Sequence, residues 1–176
     1  MKTAKLIALA IATLMTLVLC NTVQAQKNAL VSFKGIEVSA GHEEEGEAYG
    51  WMCYARTSGS LTGNFTLSMD YDGTKSAGTN SIVTGGAWTL PVYASSKFLA
   101  SRPVLEDPYQ GVLFGSVIGG DVTWDKYGTA TIQLKMLIQG GTQAMTDLRG
   151  NAFLVGTLTY GEKLGTFNGT IYFEFQ

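Results

Sequence analysis

The chain has 176 residues, of which 45% are hydrophobic, and its formal net charge is −2 at pH 7. A length of this order fits one domain and can bury a core without disulfides or structural metals. The 12 basic residues form no cluster that could replace the counterions of a nucleic acid. We therefore expect a single domain with no nucleic-acid partner.

The N-terminal segment, residues 1–25, predicts a signal peptide. Lys2 and Lys5 give a positively charged start, residues 6–19 form an apolar run, and residues 23–25 provide a small-residue cleavage site. The apolar run is too short to span a bilayer comfortably. We therefore expect this segment to be removed.

Cleavage near Ala25 leaves residues 26–176 as the mature β-barrel domain. We expect this domain to be secreted or periplasmic, without stable insertion into a membrane. Cys20 offers an alternative, lipid attachment, because the residues before it partly match a lipoprotein processing site. Such sites require a small residue before the cysteine, and Leu19 is bulky. We therefore favour ordinary cleavage.

Alternation of apolar and polar residues predicts about eight strands and no amphipathic helix. The pattern is clearest over 61–71, 130–138 and 167–175, where one face is apolar and the other polar. Weaker alternation completes the predicted set, which is 29–39, 50–57, 61–71, 80–90, 111–124, 130–138, 151–160 and 167–175. Glycine pairs at 85–86 and 119–120 predict breaks within two of these strands.

The first predicted strand contains a change of parity. Val31 and Phe33 occupy one face, whereas Ile36 and Val38 occupy the other. A glycine, Gly35, stands where the apolar face changes sides, which is typical of a β-bulge. We therefore predict a bulge at this glycine.

Eight strands with one apolar face must hide that face from water. A single antiparallel barrel does so and also removes unpaired strand edges. A β-sandwich is the alternative.

The segment 91–110 holds all three prolines and predicts a long connection with one helical turn. This connection could pack over a barrel end or act as a lid.

No cluster in the sequence has the spacing of a metal or catalytic site. Four glutamates within residues 43–47 follow His42, but carboxylates that are consecutive in a loop do not converge on one cation. Residues 70–73 begin like a calcium loop without its later ligands, so we interpret them as a hairpin turn. No motif pairs Cys53 with a histidine. We therefore predict that Cys53 is buried and packs like a small apolar residue. We expect no catalytic residue, no metal ligand and no cofactor.

The aromatic residues suggest one further site without defining it. Trp51, Trp88 and Trp124, together with eight tyrosines, could line a pocket that stacks on a ligand. Aromatic residues in strands more often pack in the core, so the sequence singles out no binding residue.

Short glycine-flanked segments recur from Ser81 to the C-terminus. They are 85–90, 111–115, 119–124, 140–142, 156–158 and 165–170. In these segments residues 81–176 resemble bacterial secreted proteins with an allene oxide cyclase or dirigent-like barrel. The resemblance implies an eight-stranded antiparallel barrel, often with an apolar cavity. Plant members act as cyclases or stereochemical guides, but no position here matches a catalytic carboxylate or arginine of the family.

Three functions remain open at this point. The first is a secreted or periplasmic non-catalytic barrel that binds a small apolar ligand. The second is a dirigent-like or cyclase-like enzyme, which needs a cavity with convergent polar groups. The third is a small outer-membrane barrel with its apolar face toward lipid. Because Gln176 follows the last aromatic residue, we favour a barrel with its apolar face inward.

Overall fold

The computed structural model describes residues 28–40, 49–72, 80–96, 98, 108–160 and 165–176. They form eight antiparallel strands that close into one barrel in chain order, which confirms the predicted fold class. The strands are β1 (Asn28–Ala40), β2 (Tyr49–Gly59), β3 (Gly63–Asp72), β4 (Asn80–Tyr93), β5 (Tyr109–Trp124), β6 (Thr129–Gly141), β7 (Gly150–Tyr160) and β8 (Gly165–Phe175). A 3-10 turn, Gln143–Met145, precedes β7. Nowhere in these ranges is there a helix of membrane-spanning length and apolarity.

The alternating directions of the strands define two ends of the barrel. Because neighbouring strands are antiparallel, β1, β3, β5 and β7 end where β2, β4, β6 and β8 begin. We call this the Glu37 end, after the residue that β1 carries there, and the opposite one the Phe98 end. Three connections at the Glu37 end, residues 41–48, 73–79 and 161–164, lie outside the described residues.

Most of the apolar side chains of the strands point into the barrel. In β6, for example, Ile132 and Leu134 are buried while Gln133 and Lys135 are exposed. This inward orientation of the apolar residues was predicted.

Aromatic rings fill the middle of the barrel. A series of neighbouring rings runs from the Glu37 end to the Phe98 end in the order Trp51, Phe167, Phe33, Phe65, Trp88, Phe173, Phe175 and Phe98. Successive centroids lie between 4.6 and 6.4 Å apart, within the range of favourable ring contacts. The interior between the two ends is therefore a packed core.

Paired glycines make room for one of these rings. Gly156 and Gly169 lie opposite each other on β7 and β8, and Phe33 of β1 lies opposite Gly169. A Cβ on Gly169 would lie 2.8 Å from Cζ of Phe33 and closer still to the Val155 carbonyl oxygen. The Phe33 ring thus occupies space that side chains at Gly156 and Gly169 would otherwise fill.

The Gly169→Ala variant should therefore lose about 1–3 kcal/mol of unfolding free energy, the usual range for overpacking. Gly85 is a matched control, because its Cβ would meet nothing closer than 3.9 Å. Gly85→Ala should change stability by less than about 0.5 kcal/mol. Urea denaturation followed by tryptophan fluorescence measures both. Equal stability of the two variants would show that the glycine pair is not needed for packing.

The predicted parity change at Gly35 is wrong. The β1–β2 register runs unbroken through Gly35 and shifts only between Glu37 and Ser39. Ile36 and Val38 are 46% and 57% exposed, whereas Glu37 is 7% exposed. The inward face of β1 therefore continues to Glu37, and the two apolar residues beside it lie outside.

The predicted breaks at glycine pairs correspond to shifts in strand pairing. The β3–β4 register shifts between Asp70 and Tyr71, opposite the segment that holds Gly85. The β5–β6 register shifts between Val117 and Gly119. Both strands continue through the shift, so each glycine pair lies at an irregularity within one strand.

Phe98, a described residue of the connection between β4 and β5, packs over the Phe98 end. The Phe98 backbone N–H donates to the Ser60 carbonyl oxygen at 3.0 Å, and its buried ring lies 4.9 Å from the Phe175 ring. Met145 and Leu148 are also buried. Phe98 packs over a barrel end, as was predicted for this connection. Residues 91–93 and 109–110 were predicted to belong to the connection but are part of β4 and β5. Residues 97 and 99–107 lie outside the described residues, so the predicted helical turn stays a prediction.

Candidate functional site

A buried carboxyl group is the main polar feature at the Glu37 end. The Trp51 indole N–H donates to Glu37 Oε1 at 2.7 Å, and the Tyr160 hydroxyl donates to the same oxygen at 2.8 Å. These residues come from β2 and β7, on opposite sides of β1 and β8. Hydrogen bonds to a charged acceptor are among the stronger ones in proteins. The two donors therefore hold Glu37 in one position.

The second carboxyl oxygen faces a glycine. A Cβ built on Gly165 would lie 3.0 Å from Glu37 Oε2. Both donors named above use Oε1. The same Cβ would lie 2.7 Å from Leu158 Cδ1 and 3.2 Å from Tyr160 Cε1, so these side chains already fill the space in front of Gly165, and a larger residue there would crowd the carboxyl group.

An aromatic pair extends the site to β5. The Tyr160 and Trp124 rings are stacked, with centroids 5.7 Å apart and planes 7° apart. On β6 between them, Ala130 lies opposite both Trp124 and Leu158, and its small side chain allows this contact across the strand. Tyr160 therefore touches Glu37 with its hydroxyl and Trp124 with its ring.

Two buried polar atoms at this end have no hydrogen-bond partner. They are Trp124 Nε1 and Ser81 Oγ, and their residues are 8% and 1% exposed. Ser81 lies opposite Val122 of β5, two residues before Trp124. Leaving such a group unpaired costs about 1–3 kcal/mol, so orphan polar atoms call for an explanation. A third orphan, Trp88 Nε1, lies within the ring series.

Burial controls the ionisation of Tyr160. Its pKa is raised above the ordinary value, first by desolvation and next by the hydrogen bond to Glu37. The hydroxyl therefore keeps its proton throughout the physiological pH range. Tyr160 is a permanent hydrogen-bond donor to Glu37.

Cys53 lies on β2 two residues after Trp51 and is fully buried, as the sequence predicted. Burial raises the pKa of its thiol to about 12, with a smaller contribution from the charge of Glu37. Because the thiolate is the nucleophilic form, this thiol is not an activated nucleophile.

Cys53 should therefore react with maleimide at pH 8 at least about 100-fold more slowly in the folded protein than in urea. Peptide mapping by mass spectrometry gives the two rates. The folded-state pKa lies above the ordinary value of 9.0, so this group should stabilise the fold fully below pH 9. Its contribution should be lost as the pH rises toward 12. Equal labelling rates would show that the thiol is accessible.

The candidate residues of the sequence analysis lie in different parts of the structure. Trp51 and Trp124 belong to the Glu37 end, whereas Trp88 belongs to the packed interior. His42 and residues 43–47 lie outside the described residues, and 70–72 belong to β3 rather than to a turn. Within the described ranges, no group of three or more His, Cys, Asp or Glu side chains could hold a metal ion.

Glu37, Tyr160 and Ser81 were not identified from the sequence. Glu37 could have been found, because the apolar positions Val31 and Phe33 continue through Gly35 to Glu37 at a period of two. Tyr160 and Ser81 carry no such signal, because their roles depend on which strands the closed barrel brings together.

A concavity lies on the outer surface of the barrel, away from the Glu37 end. This groove of about 150 Å³ crosses β5, β6 and β7 and is lined by residues that include Lys135, Phe153 and Val155. Phe153 lies opposite Lys135. The groove holds no buried polar atom of the kind found at the Glu37 end.

No known protein family, curated protein or solved structure matches this chain.

Proposed function

We propose that this protein is an exported, non-catalytic β-barrel that binds a small, largely apolar molecule at the Glu37 end. The observation that carries the proposal is the position of the polar groups. Glu37 and the unpartnered atoms Trp124 Nε1 and Ser81 Oγ lie together at one end of the barrel, whereas Thr57 and Ser96, which are buried toward the opposite end, are hydrogen-bonded. Ligand sites combine apolar walls with a few convergent polar groups in this way.

The packing of the interior supports this location. The ring series from Phe167 to Phe98 fills the middle of the barrel, and Phe98, Met145 and Leu148 pack at the opposite end. Partial exposure of Tyr160, at 38%, brings solvent to the Glu37 end. A ligand would enter there and place its apolar part against Trp124 and its neighbours.

A blocking experiment tests this location. Nile red, a neutral fluorescent dye, is titrated into the Tyr160→Cys variant before and after coupling to a bulky maleimide. We expect saturable binding before coupling and at least a 10-fold loss of affinity after it. Tyr172→Cys, on the outer face of β8, is the matched control and should bind equally before and after. Unchanged binding by the coupled Tyr160→Cys variant would contradict the proposal.

A dirigent-like or cyclase-like enzyme is the second candidate, and the same carboxyl group supports it. Glu37 is a carboxyl group of the kind that acts in general acid–base catalysis, and Tyr160 and Trp51 fix the position of its Oε1. This candidate also accords with the resemblance of residues 81–176 to allene oxide cyclase and dirigent-like barrels. Turnover of an epoxide or radical-derived substrate that disappears in Glu37→Gln would favour the enzyme, and unchanged turnover would exclude a catalytic role for Glu37.

A further inference from the structure

An apolar patch covers part of the outer wall of the barrel, and we call it the outer patch. It consists of four side chains that each keep more than a third of their surface exposed: Leu30 on β1, Tyr172 on β8, and Phe153 and Val155 on β7. The first three lie in one row across adjacent strands. The next outward positions toward the Glu37 end are polar, with Thr157 of β7 opposite Asn168 of β8. Exposed apolar patches with a polar rim mark interaction sites.

One basic and one acidic residue lie beside the outer patch. Lys135 of β6 is exposed and lies opposite Phe153. Glu174 of β8 is exposed and lies opposite Asn151, two residues from Phe153 toward the Phe98 end. The displacement from Lys135 to Glu174 is therefore two strands across and two residues along. With strands about 4.8 Å apart and about 3.4 Å per residue, it measures about 12 Å.

The displacement from Val155 to Leu30 is the same. Leu30 shares a row with Phe153, and Val155 lies two residues from Phe153 toward the Glu37 end. Leu30 is therefore two strands across from Val155 and two residues along toward the Phe98 end. This is also the direction that leads from Lys135 to Glu174. The two pairs thus have equal and parallel displacements on the barrel wall.

One two-fold axis relates this surface to itself. At the strand spacings given above, the line that joins the midpoints of the two displacements is perpendicular to both of them. A two-fold axis along this line places Lys135 against Glu174 of a second copy and Val155 against Leu30 of a second copy. The groove across β5, β6 and β7, which Val155 borders, receives that leucine. Symmetric dimer interfaces require a surface that is complementary to itself in this way.

The shape of the barrel allows this contact. Ile36, near the Glu37 end of β1, shares a row with Phe114, near the Phe98 end of β5, so steps across the strands lead toward the Phe98 end. The strands of such barrels tilt by about 35–45° from the barrel axis. The displacement from Lys135 to Glu174 also advances toward the Phe98 end, so it runs nearly along the barrel axis. Because the wall is least curved in this direction, two barrels can lie side by side along it.

We propose that the outer patch is the interface of a symmetric dimer of this chain. The two-fold axis passes between Phe153 and Tyr172, so these rings pack against their counterparts at the centre. The two pairs of Lys135 with Glu174 lie at the edge. Aromatic residues at the centre and charged residues at the rim are the usual arrangement of protein interfaces. An anionic membrane surface would instead favour basic residues alone. The interface lies on the barrel wall, so this inference does not depend on the proposed ligand.

Charge reversal tests the pairing across the axis. Lys135→Glu and Glu174→Lys each bring like charges together at two contacts, so we expect each to weaken the dimer at least about 10-fold at low salt. Sedimentation velocity over a range of protein concentrations gives the dissociation constant. The double reversal restores both pairs and should return this constant to within about 3-fold of the native value. Lys126→Glu, in the turn after β5, is the matched control and should change nothing.

Three results of this experiment would overturn the inference. The first is a native protein that stays monomeric at every concentration. The second is a dimer that both single reversals leave intact, and the third is a dimer that the double reversal fails to restore. Far-UV circular dichroism of each variant shows whether the barrel has folded.

Truncation of a central ring tests the apolar part of the interface. Phe153→Ala should weaken the dimer at least about 10-fold, as expected for an aromatic residue at an interface centre. Phe114→Ala, on β5 outside the outer patch, should leave the dissociation constant unchanged. Equal effects of the two variants would overturn the inference, as would binding to phosphatidylglycerol vesicles in place of self-association. Nile red binding should be the same in the native dimer and in the monomeric variants, so the proposed function and this interface can fail separately.

Discussion

Replacing Phe98 with alanine is expected to lower the free energy of unfolding by about 3–5 kcal/mol, the usual cost of truncating a buried phenylalanine. The Phe98 ring is 2% exposed and packs against Phe175 at the end of the ring series. Its removal leaves a cavity that the strands cannot close without moving, because they are tied into a closed barrel. Urea denaturation followed by tryptophan fluorescence gives the loss directly.

A matched substitution on the outside of the barrel serves as the control. Phe114 is 38% exposed, so Phe114→Ala should cost less than about 1 kcal/mol. Similar losses for the two variants would show that the connection between β4 and β5 does not contribute to the core through Phe98.

The Glu37→Leu variant is expected to lose about 2–4 kcal/mol of unfolding free energy. Leucine has a similar size but accepts no hydrogen bond, so the Trp51 N–H and the Tyr160 hydroxyl lose their shared acceptor. Each unpaired buried donor costs about 1–3 kcal/mol. Tyr160 is partly exposed and can turn to water, so most of the loss should come from Trp51.

The Glu37→Gln variant removes the carboxylate and keeps an oxygen that can accept the same hydrogen bonds. Its amide oxygen can still accept from Trp51 and Tyr160, so we expect its stability to stay within about 1 kcal/mol of the native protein. Urea denaturation of the two variants gives the difference. If the leucine variant were as stable as the glutamine variant, the hydrogen bonds at the Glu37 end would contribute nothing to the fold.

The strands were predictable because they alternate strictly between core and solvent. Residues 130–138 and 167–175 place every second side chain inside the barrel, which gives the period of two that the sequence displays. Closure could also be predicted, since eight one-sided strands have few other ways to bury their apolar faces. The alternation therefore locates the strands along the chain without information about side-chain contacts.

The first strand shows why the candidate site was not predictable in the same way. Its outer face carries the apolar residues Ile36 and Val38, and its inner face carries the acidic Glu37. A pattern based on apolarity therefore assigned the faces in reverse after Gly35. The error occurred at a strand end that carries an acidic residue on its buried face. A pattern based on apolarity fails where a charged residue lies in the core.

The other residues of the Glu37 end depend on barrel closure. Tyr160 and Glu37 are 123 positions apart in the chain, and their contact requires β8 to lie between β7 and β1. Trp124 reaches Tyr160 across Ala130 of β6. Such contacts are set by strand order and register, which the alternation of single strands does not contain.

The most direct test of the central claim uses the indole N–H resonances of the three tryptophans. Geraniol, a neutral probe, is titrated into the ¹⁵N-labelled protein, with assignment by Trp51→Phe, Trp88→Phe and Trp124→Phe. A ligand at the Glu37 end should shift the Trp124 resonance most and the Trp51 resonance next. Trp88, inside the ring series, should not respond. Saturation that shifts only Trp88, or none of the three resonances, would contradict the Glu37 end as the binding site.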